Sequence, residues 1–478
     1  MQSKFVIVQD QEIILVDDRE REEELDHLIE AIQADPDWNK WGSILQQKPP
    51  VEVAEILQSL PEHIFFQFFE KFTREQQALI FNDLEREHQK KLLSYLGPRQ
   101  FAKIFELADS AERVDFFKDL SPEEQSLLLP YLSKAVREEV IKLSAYPEET
   151  AGSIMSTDFA TLYEGMTAKD ALEKVRRDAP RKMIYYTYVV DNDMKLKGVL
   201  TLRKLVLADP SQKIDDLMLK DFVYAHVNED REDVVNKIEK YDLIAIPVVN
   251  DLGQLVGIVT YDEAMDVLRE EQTEDLEKMM GIVPEETFEY KELSIWDHYR
   301  RRVVWLVILA LMAMGTATVI RFFEGLISKV AVLAFFLPLV TGMGGNTGSQ
   351  AAAQIIRALA LGQVSVSDWL RIVWNEARVG IILGLTLGLL GMVEVFLVVD
   401  PSQLGPGFEL IKIAWVVGIS LAVQIVFATL MGSLIPLLIY ALGKDPALAS
   451  SPFLATLVDV TGVAIYFSIA IWLLDVSI

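Results

Sequence analysis

Apolar and polar residues follow three different patterns along the 478-residue chain. The first covers residues 22–145, where apolar positions recur at helical spacing in short runs that end at proline or glycine, as in residues 51–60 before Pro61. Helices this short are marginal alone, so the pattern predicts an α-helical solenoid in which each helix stacks on its neighbours. Ser121, Pro122 and the two following acids indicate one helix start, because they supply an N-cap, a first-position proline and first-turn negative charge.

The second pattern is a repeated strand–turn–strand unit. A predicted strand at 188–191 is followed by a second at 196–201, and the same arrangement recurs at 247–250 and 255–260. The second strand of each unit contains a glycine, which permits close backbone approach. Amphipathic helices precede and follow each unit, at 168–177, 202–208, 231–241 and 262–269. This duplication predicts one pseudo-symmetric α/β module. The module resembles a tandem cystathionine-β-synthase (CBS) pair, which commonly senses adenine nucleotides or metal ions.

The third pattern is a series of apolar segments long enough to cross a bilayer. The five segments are 303–320, about 330–360, about 372–399, 411–442 and 452–474. Arg300, Arg301 and Arg302 precede the first segment and place that end in the cytosol by the positive-inside rule. We therefore expect a plasma (inner) membrane protein in contact with the lipid bilayer, with a cytosolic N-terminus and the C-terminus outside.

Together the patterns predict a multi-domain chain. The expected parts are an acidic α-helical solenoid N domain at 1–146, an α/β tandem CBS pair at 147–262, a connecting helix at 263–294, and an all-α polytopic membrane domain at 295–478.

Charge is distributed as unevenly as hydropathy. Nine acidic and seven basic residues follow residue 302, so about −24 of the net charge of −26 lies in residues 1–302. This acidity argues against a nucleic acid partner, because phosphate would be repelled, and fits multivalent cations. The chain has no cysteine, and its five histidines all precede residue 303. The apolar segments therefore offer only oxygen ligands, which suit Mg²⁺ or Ca²⁺ rather than zinc or copper.

One carboxylate, that of Asp459, lies well inside the fifth apolar segment. An ionised acid near the centre of a bilayer costs roughly 3 kcal/mol or more, so it normally faces a water-filled cavity or an ion. The alternative is an ion pair with a helix-end arginine, or a protonated acid against a backbone carbonyl. Thr456 lies one turn earlier and shares its helix face. One carboxylate does not neutralise a divalent ion, whereas two copies across a dimer axis would, and Mg²⁺ would then bind hydrated.

The second apolar segment contains a glycine-rich run, residues 341–350. Four glycines within seven positions weaken a helix, since each costs about 1 kcal/mol relative to alanine. We expect the backbone to be interrupted at membrane depth, with a polar lining that includes Asn346. Close helix packing through small residues is the alternative.

Acidic residues also concentrate in the connecting helix. Helical spacing puts Glu263, Asp266 and Glu270 near one face, with Glu274 a turn further. Like charges at this spacing destabilise a helix, so cations or another surface must neutralise them. Gly281 and a nearby proline mark the end of the helix.

The glycine-rich run, together with the tetrads that begin at Asp445 and Asp459, resembles the MgtE family of magnesium channels. The domain order also agrees. The resemblance implies a homodimer that imports Mg²⁺ through a pore at the dimer axis, with no enzymatic activity. It implies Asp459 as the central ion site and Asn346 in the selectivity region. The predicted pore and ion-binding residues are Asp459, Asn346, Thr456, Gly342 and Gly345.

The resemblance further implies negative feedback by cytosolic Mg²⁺ that bridges the acidic domains. By matched position the regulatory ligands are Glu232, Asp242, Glu263, Asp266, Glu271, Glu274, Asp275 and Asp445. Asp115 and Glu112 are the candidates in the N domain, where Leu79 occupies the position of an expected acid. Tyr186 and Arg203 fit a family ATP pocket between the CBS repeats, whereas Lys204 replaces an expected acid, so ATP as a regulator stays open.

Two other functions stay open from the residues alone. A proton-coupled or less selective carrier of Mn²⁺ or Co²⁺ would use protonation and release at Asp459. An intramembrane enzyme with a CBS regulator would need a catalytic pair at membrane depth, yet the apolar half has neither histidine nor cysteine. Saturable uptake that stops when the pH gradient is collapsed would favour the carrier over a channel. Unchanged Mg²⁺ flux after replacement of Asp459 with alanine would remove the central role of that residue.

Overall fold

The computed structural model describes residues 4–9, 12–178, 183–284, 293–404 and 408–476. It divides the chain into two compact units, Met1–Leu268 and Arg269–Ile478. Part of the predicted connecting segment, residues 285–292, lies outside the described residues.

The first unit begins with an antiparallel strand pair and a run of short helices. The strands are β1 (Lys4–Gln9) and β2 (Glu12–Asp17). The helices are α1 (Asp18–Ala34), α2 (Trp38–Leu45), α3 (Pro50–Gln58), α4 (Glu62–Phe69), α5 (Arg74–Asn82), α6 (Arg86–Leu96), α7 (Pro98–Phe105), α8 (Ser110–Lys118), α9 (Pro122–Leu128) and α10 (Lys134–Leu143).

These helices are stable because they share one apolar core. Phe65, Phe81 and Phe101 are fully buried in it, together with aliphatic residues from most of the helices. The start of α9 has the predicted form, since the Ser121 hydroxyl accepts a hydrogen bond from the Glu124 N–H while the Glu124 carboxylate accepts one from the Ser121 N–H. The prediction of short stacked helices is confirmed.

The remainder of the first unit contains two copies of one α/β motif. The first copy consists of β3 (Phe159–Tyr163), α11 (Ala168–Asp178), β4 (Met183–Val190), β5 (Leu196–Thr201), α12 (Leu202–Leu207) and α13 (Ile214–Leu217). The second consists of β6 (Ala225–His226), α14 (Arg231–Lys240), β7 (Ala245–Val249), β8 (Leu255–Thr260) and α15 (Tyr261–Met279).

The two copies have the same topology. Each sheet has three strands in sequence order, the first pair parallel and the second antiparallel. The turns of the copies bond to each other, with Leu196 N–H donating to the Gly253 carbonyl at 3.1 Å and Leu255 N–H to the Met194 carbonyl at 2.9 Å. The predicted internal duplication is therefore confirmed.

The second unit contains long apolar helices. They are α16 (Ile295–Phe322), α18 (Leu337–Ala360), α19 (Trp369–Val398), α20 (Leu410–Ala441) and α21 (Ser451–Leu474), with the short α17 (Glu324–Lys329) after the first. By length and composition, five helical segments of the described chain can cross a membrane, which confirms the predicted number of spans.

Glycines bring α19 and α20 into close contact. Gly384 and Gly388 lie one turn apart on α19, and a Cβ on them would lie 2.7 Å from the Ala422 carbonyl oxygen and 2.5 Å from the Gly418 carbonyl oxygen. Neither position has room for a side chain, so the two backbones approach as small-residue motifs allow within a bilayer.

The expected interruption of the glycine-rich run is wrong, because α18 continues unbroken through residues 341–350. The packing of its glycines explains the continuity. A Cβ on Gly348 would lie 3.3 Å from the Ala428 carbonyl oxygen, and one on Gly344 would lie 3.0 Å from a methyl group of Val458. These contacts with α20 and α21 offset the low helix propensity of glycine. Asn346 and Gly342 stay exposed on another face of the same helix.

Candidate functional site

Asp459 lies on α21 against the glycine-rich face of α18. Its Oδ1 is 3.6 Å from the position that a Cβ on Gly345 would occupy, and Ala455 lies next to it, with its Cβ 3.3 Å from that position. A side chain at position 345 would therefore press on Ala455, and the Asp459 carboxylate lies close to the α18 backbone at this glycine. Asp459 is half-buried, and within the described part of the chain it has no hydrogen-bond or ion-pair partner. Among the described residues, Asp459 therefore does not form the alternative ion pair with an arginine at a helix end.

The other predicted pore residues lie on the same two helices. Gly342, Gly345 and Asn346 are spaced at three and four residues, so they share one side of α18. The Thr456 hydroxyl donates to the Pro452 carbonyl at 2.8 Å, which leaves its oxygen lone pairs as acceptors. The carboxylate and the hydroxyl therefore lie on α21, and the exposed amide lies on α18, which packs against α21.

Gln424 was not predicted as a site residue. It is fully buried on α20, and its Nε2 donates to the Val458 carbonyl at 2.9 Å, one residue before Asp459. Its only sequence signal is an amide within the long apolar run of α20. That signal does not reveal which helix the amide contacts.

The part of the chain that the structure describes provides no complete ligand set for a bare metal ion. Among the described residues, no group of three or more histidine, aspartate or glutamate side chains is arranged to hold one. Within that part of the chain, Asp459 is the acid that lies against the glycine-rich face of α18. A divalent ion at this place would need water or further chains to complete its coordination.

A second group of acids surrounds the end of α15. The Lys278 ammonium lies 2.5 Å from Glu274 Oε1 and 2.7 Å from Asp445 Oδ2. Asp445 Oδ1 accepts a hydrogen bond from the Ala447 N–H at 2.8 Å. Burial would lower the pKa of Lys278, but its hydrogen bonds to Asp445 and Glu274 raise that pKa above its usual value. Burial, followed by the charge of Asp445, raises the pKa of Asp275. Three of the predicted regulatory acids are therefore neighbours.

The end of α15 is fixed to the start of α16. Arg301 forms an ion pair with Glu277, its Nε donates to the Val283 carbonyl at 2.9 Å, and the Val283 N–H donates back to the Arg301 carbonyl at 3.0 Å. Gly281 has a φ of +70° just beyond the helix, as predicted for its end. These bonds hold Val283 and the end of α15 at the start of α16.

A third group of acids lies within the first unit. Burial raises the pKa of Glu263 well above its usual value, and the charges of Asp115, Asp262, Glu112 and Asp266 add to the shift. Arg86 partly neutralises this group through its contact with Glu112 at 2.6 Å. The structure therefore brings together Glu112 and Asp115 of the helical part with two acids of α15.

The remaining regulatory candidates are more dispersed. Glu232 and Asp242 lie exposed at the two ends of α14, and Glu271 lies half-buried on α15. Their assignment stays a prediction.

The two residues predicted to bind a nucleotide lie at the same end of the β3-β4-β5 sheet. Tyr186 of β4 is paired with Thr201 of β5, and Thr201 caps α12, in whose first turn Arg203 is exposed. An aromatic ring and a guanidinium group next to a strand end can contact a base and a phosphate.

Sequence comparison identifies three matching families. MgtE, described as divalent cation transporter, matches residues 337–469, the MgtE intracellular N domain matches 48–149, and the CBS domain matches 151–211 and 214–270. These matches confirm the predicted fold class of helical N domain, CBS pair and all-α membrane domain.

Full-length relatives point to the same family. The chain is 43% identical to the magnesium transporter MgtE of Thermus thermophilus over 340 residues, which are 71% of this chain and 73% of that protein. It is 33% identical to the magnesium transporter MgtE of Bacillus subtilis over 429 residues, which are 90% and 92% of the two chains.

A solved structure, the cytosolic domain of the Mg²⁺ channel MgtE in complex with ATP, is also similar, with 30% sequence identity and a TM-score of 0.47 over 50% of this chain and 98% of that one. With matches to the membrane domain, the N domain and both CBS domains, and with relatives aligned over most of their length, this multi-pass membrane protein belongs to the MgtE family of divalent cation transporters.

Proposed function

We propose that this chain is a Mg²⁺-selective channel that imports magnesium across the plasma (inner) membrane, with a cytosolic N-terminus and the C-terminus outside. The observation that carries the proposal is the half-buried Asp459 carboxylate, which lies beside Gly345 and has no protein partner in the described part of the chain. Such a group in a bilayer requires water or a cation. Relatives named magnesium transporter indicate which cation to test first.

The ion site is completed by a second copy of the chain. Two Asp459 carboxylates, one from each protomer of a homodimer, balance the charge of one divalent ion. Mg²⁺ loses its waters reluctantly, so the carboxylates act through those waters. Thr456 and Asn346 contribute further oxygen acceptors, while Gly342 and Gly345 keep the α18 face open.

Cytosolic Mg²⁺ closes the channel by binding to the acidic groups of the soluble part. In each of the two groups, burial and then the charges of neighbouring carboxylates raise the pKa of one acid, Glu263 in the first group and Asp275 in the second. A divalent ion relieves that repulsion, so it favours whichever conformation brings the acids closest. Glu112, Asp115, Glu263 and Asp266 form the first group, and Glu274, Asp275 and Asp445 form the second. Glu232, Asp242 and Glu271 are further proposed ligands.

ATP is proposed as a second regulator. Its proposed contacts are Tyr186 and Arg203, which lie at one end of the β3-β4-β5 sheet.

The function is tested by Mg²⁺ flux into liposomes that contain the purified protein. Asp459→Asn removes the charge at nearly constant volume, so we expect Mg²⁺ flux to fall by at least about tenfold. Asp475→Asn is the matched control, because Asp475 follows the end of the same helix in a left-handed conformation that asparagine also adopts, and its flux should equal that of the wild type.

Collapse of the pH gradient distinguishes a channel from a proton-coupled carrier. Wild-type flux should be unchanged when the gradient is removed. Undiminished flux in Asp459→Asn, or flux that stops without a pH gradient, contradicts the proposed function.

A further inference from the structure

Gln424 occupies a slot between three helices of the membrane unit. It is fully buried on α20, its side chain crosses to α21, and its Nε2 donates to the Val458 carbonyl at 2.9 Å. The slot exists because Gly344 on α18 and Gly462 on α21 lack side chains. A Cβ on Gly344 would lie 2.7 Å from Nε2, and one on Gly462 would lie 2.5 Å from it. The two glycines and the amide therefore fit one another sterically.

The carbonyl that accepts this hydrogen bond belongs to the turn that carries Asp459. In a regular helix the Val458 carbonyl accepts from the Gly462 N–H. It also lies 3.1 Å from the Thr461 hydroxyl. That hydroxyl has one proton and lies equally close to the Leu457 carbonyl, so the two lone pairs of the Val458 carbonyl can accept from Gly462 and Gln424. The backbone next to Asp459 is therefore held from α20 as well as by its own helix.

The buried amide of Gln424 lowers the stability of the fold. Gln424 Oε1 is buried and has no hydrogen-bond partner among the described residues. An unsatisfied buried acceptor is unfavourable, and an apolar side chain of the same volume would avoid that cost. If the side chain at position 424 only filled space, methionine or leucine would give a more stable fold. The bond to Val458 is what the glutamine adds.

We propose that Gln424 is a positioning residue of the ion pathway, which holds the Val458–Asp459 turn against α18 and thereby favours Mg²⁺ over Ca²⁺. This inference rests on the proposed function, because it assigns selectivity to the Asp459 site. Mg²⁺ and its waters require near-ideal octahedral geometry, whereas Ca²⁺ accepts irregular coordination. A small displacement of Asp459 therefore reduces Mg²⁺ transport more than Ca²⁺ transport.

The first experiment compares Gln424→Met with Ser420→Ala in liposomes. Methionine keeps the volume and removes the donor, so we expect Mg²⁺ flux to fall about tenfold and the ratio of Mg²⁺ to Ca²⁺ flux to fall about threefold, while the melting temperature is equal or higher. Ser420 is a matched control on the same helix, since it is also fully buried with an unpaired side-chain oxygen, and its variant should behave as the wild type.

A second experiment tests the slot through stability and does not depend on transport. Gly462→Ala places a methyl group against Nε2, so it should lower the melting temperature of the wild type but not that of Gln424→Ala, where the space is free. Equal losses in both backgrounds would overturn the proposed geometry.

The two proposals fail in different ways. Wild-type flux and ion ratio in Gln424→Met, in a protein whose flux is lost in Asp459→Asn, overturn the role of Gln424 and leave the channel proposal standing. Unchanged flux in Asp459→Asn overturns the channel proposal, and the selectivity role of Gln424 with it.

Discussion

Individual carboxylates in this chain differ in what neutralises them. Asp445 meets the Lys278 ammonium, Glu112 meets the Arg86 guanidinium, and Glu263 meets mainly other carboxylates. The residue type is visible in the sequence, but the partner is not. This difference decides how readily each acid accepts a divalent cation.

Glu263 gives a stability change with pH that has a defined sign. Its folded-state pKa is above the usual 4.5, so the folded protein binds more protons than the unfolded one between 4.5 and the raised value. Stability therefore falls as pH rises through that window. In metal-free buffer at pH 7.5, Glu263→Gln should raise the melting temperature by about 2–4 °C. Differential scanning fluorimetry of the full chain measures it.

The melting temperature of Glu263→Gln is compared with that of a variant at an exposed acid, and is measured again with added Mg²⁺. Glu164→Gln, an exposed position of the same unit, should leave the melting temperature unchanged. Added Mg²⁺ should stabilise the wild type more than Glu263→Gln. A lower melting temperature of Glu263→Gln at pH 7.5 would show that the carboxylate stabilises the fold.

Under the proposed gating, Lys278 should set the Mg²⁺ concentration at which flux is inhibited. Lys278→Met leaves Glu274 and Asp445 without the ammonium between them, so these acids should bind Mg²⁺ more tightly. We expect half-inhibition of flux at about a tenfold lower Mg²⁺ concentration. Lys444→Met removes an exposed charge next to Asp445 and should shift it little. A shift to higher Mg²⁺ contradicts the competition between lysine and Mg²⁺.

Among the helices, glycine has two opposite effects: it lowers the propensity of the chain to form a helix, and it lets two helices pack closely. Its low helix propensity predicted a break in α18, yet the helix is continuous because its glycines pack against α20 and α21. Periodicity was sufficient for the solenoid helices and the duplicated α/β motif, because those patterns report which face is buried. It does not report how closely two helices approach.

Two glycine substitutions separate propensity from packing. Helix propensity alone predicts that alanine gains about 1 kcal/mol at any helical glycine. At Gly388 the new Cβ would lie 2.5 Å from the Gly418 carbonyl oxygen, so Gly388→Ala should instead destabilise the protein by about 1–3 kcal/mol. At Gly315 its nearest neighbour would be a Val460 methyl group at 3.4 Å, so Gly315→Ala should be tolerated. Melting of the purified variants in detergent gives both values, and equal stability would refute the packing argument.

For the whole molecule, the apolar segments and the basic residues at their ends predict the topology. Five spans from a cytosolic start place the segment between α19 and α20 outside and the segment between α18 and α19 inside. The chain contains no cysteine, so any introduced thiol is unique. In intact cells a membrane-impermeant maleimide should label Ser402→Cys and leave Gln363→Cys unlabelled. Labelling of Gln363→Cys but not of Ser402→Cys would contradict the proposed orientation.

The sequence by itself determined the number of spans, the duplicated α/β motif and the presence of an acid at membrane depth. These features depend on hydrophobic period and on desolvation, which are properties of short stretches of chain. The tertiary structure decided that α18 continues through its glycines, that Lys278 pairs with Asp445 across 167 positions, and that Gln424 reaches Val458 across 34. Such contacts depend on which helices pack together and how closely, and no local pattern contains that information.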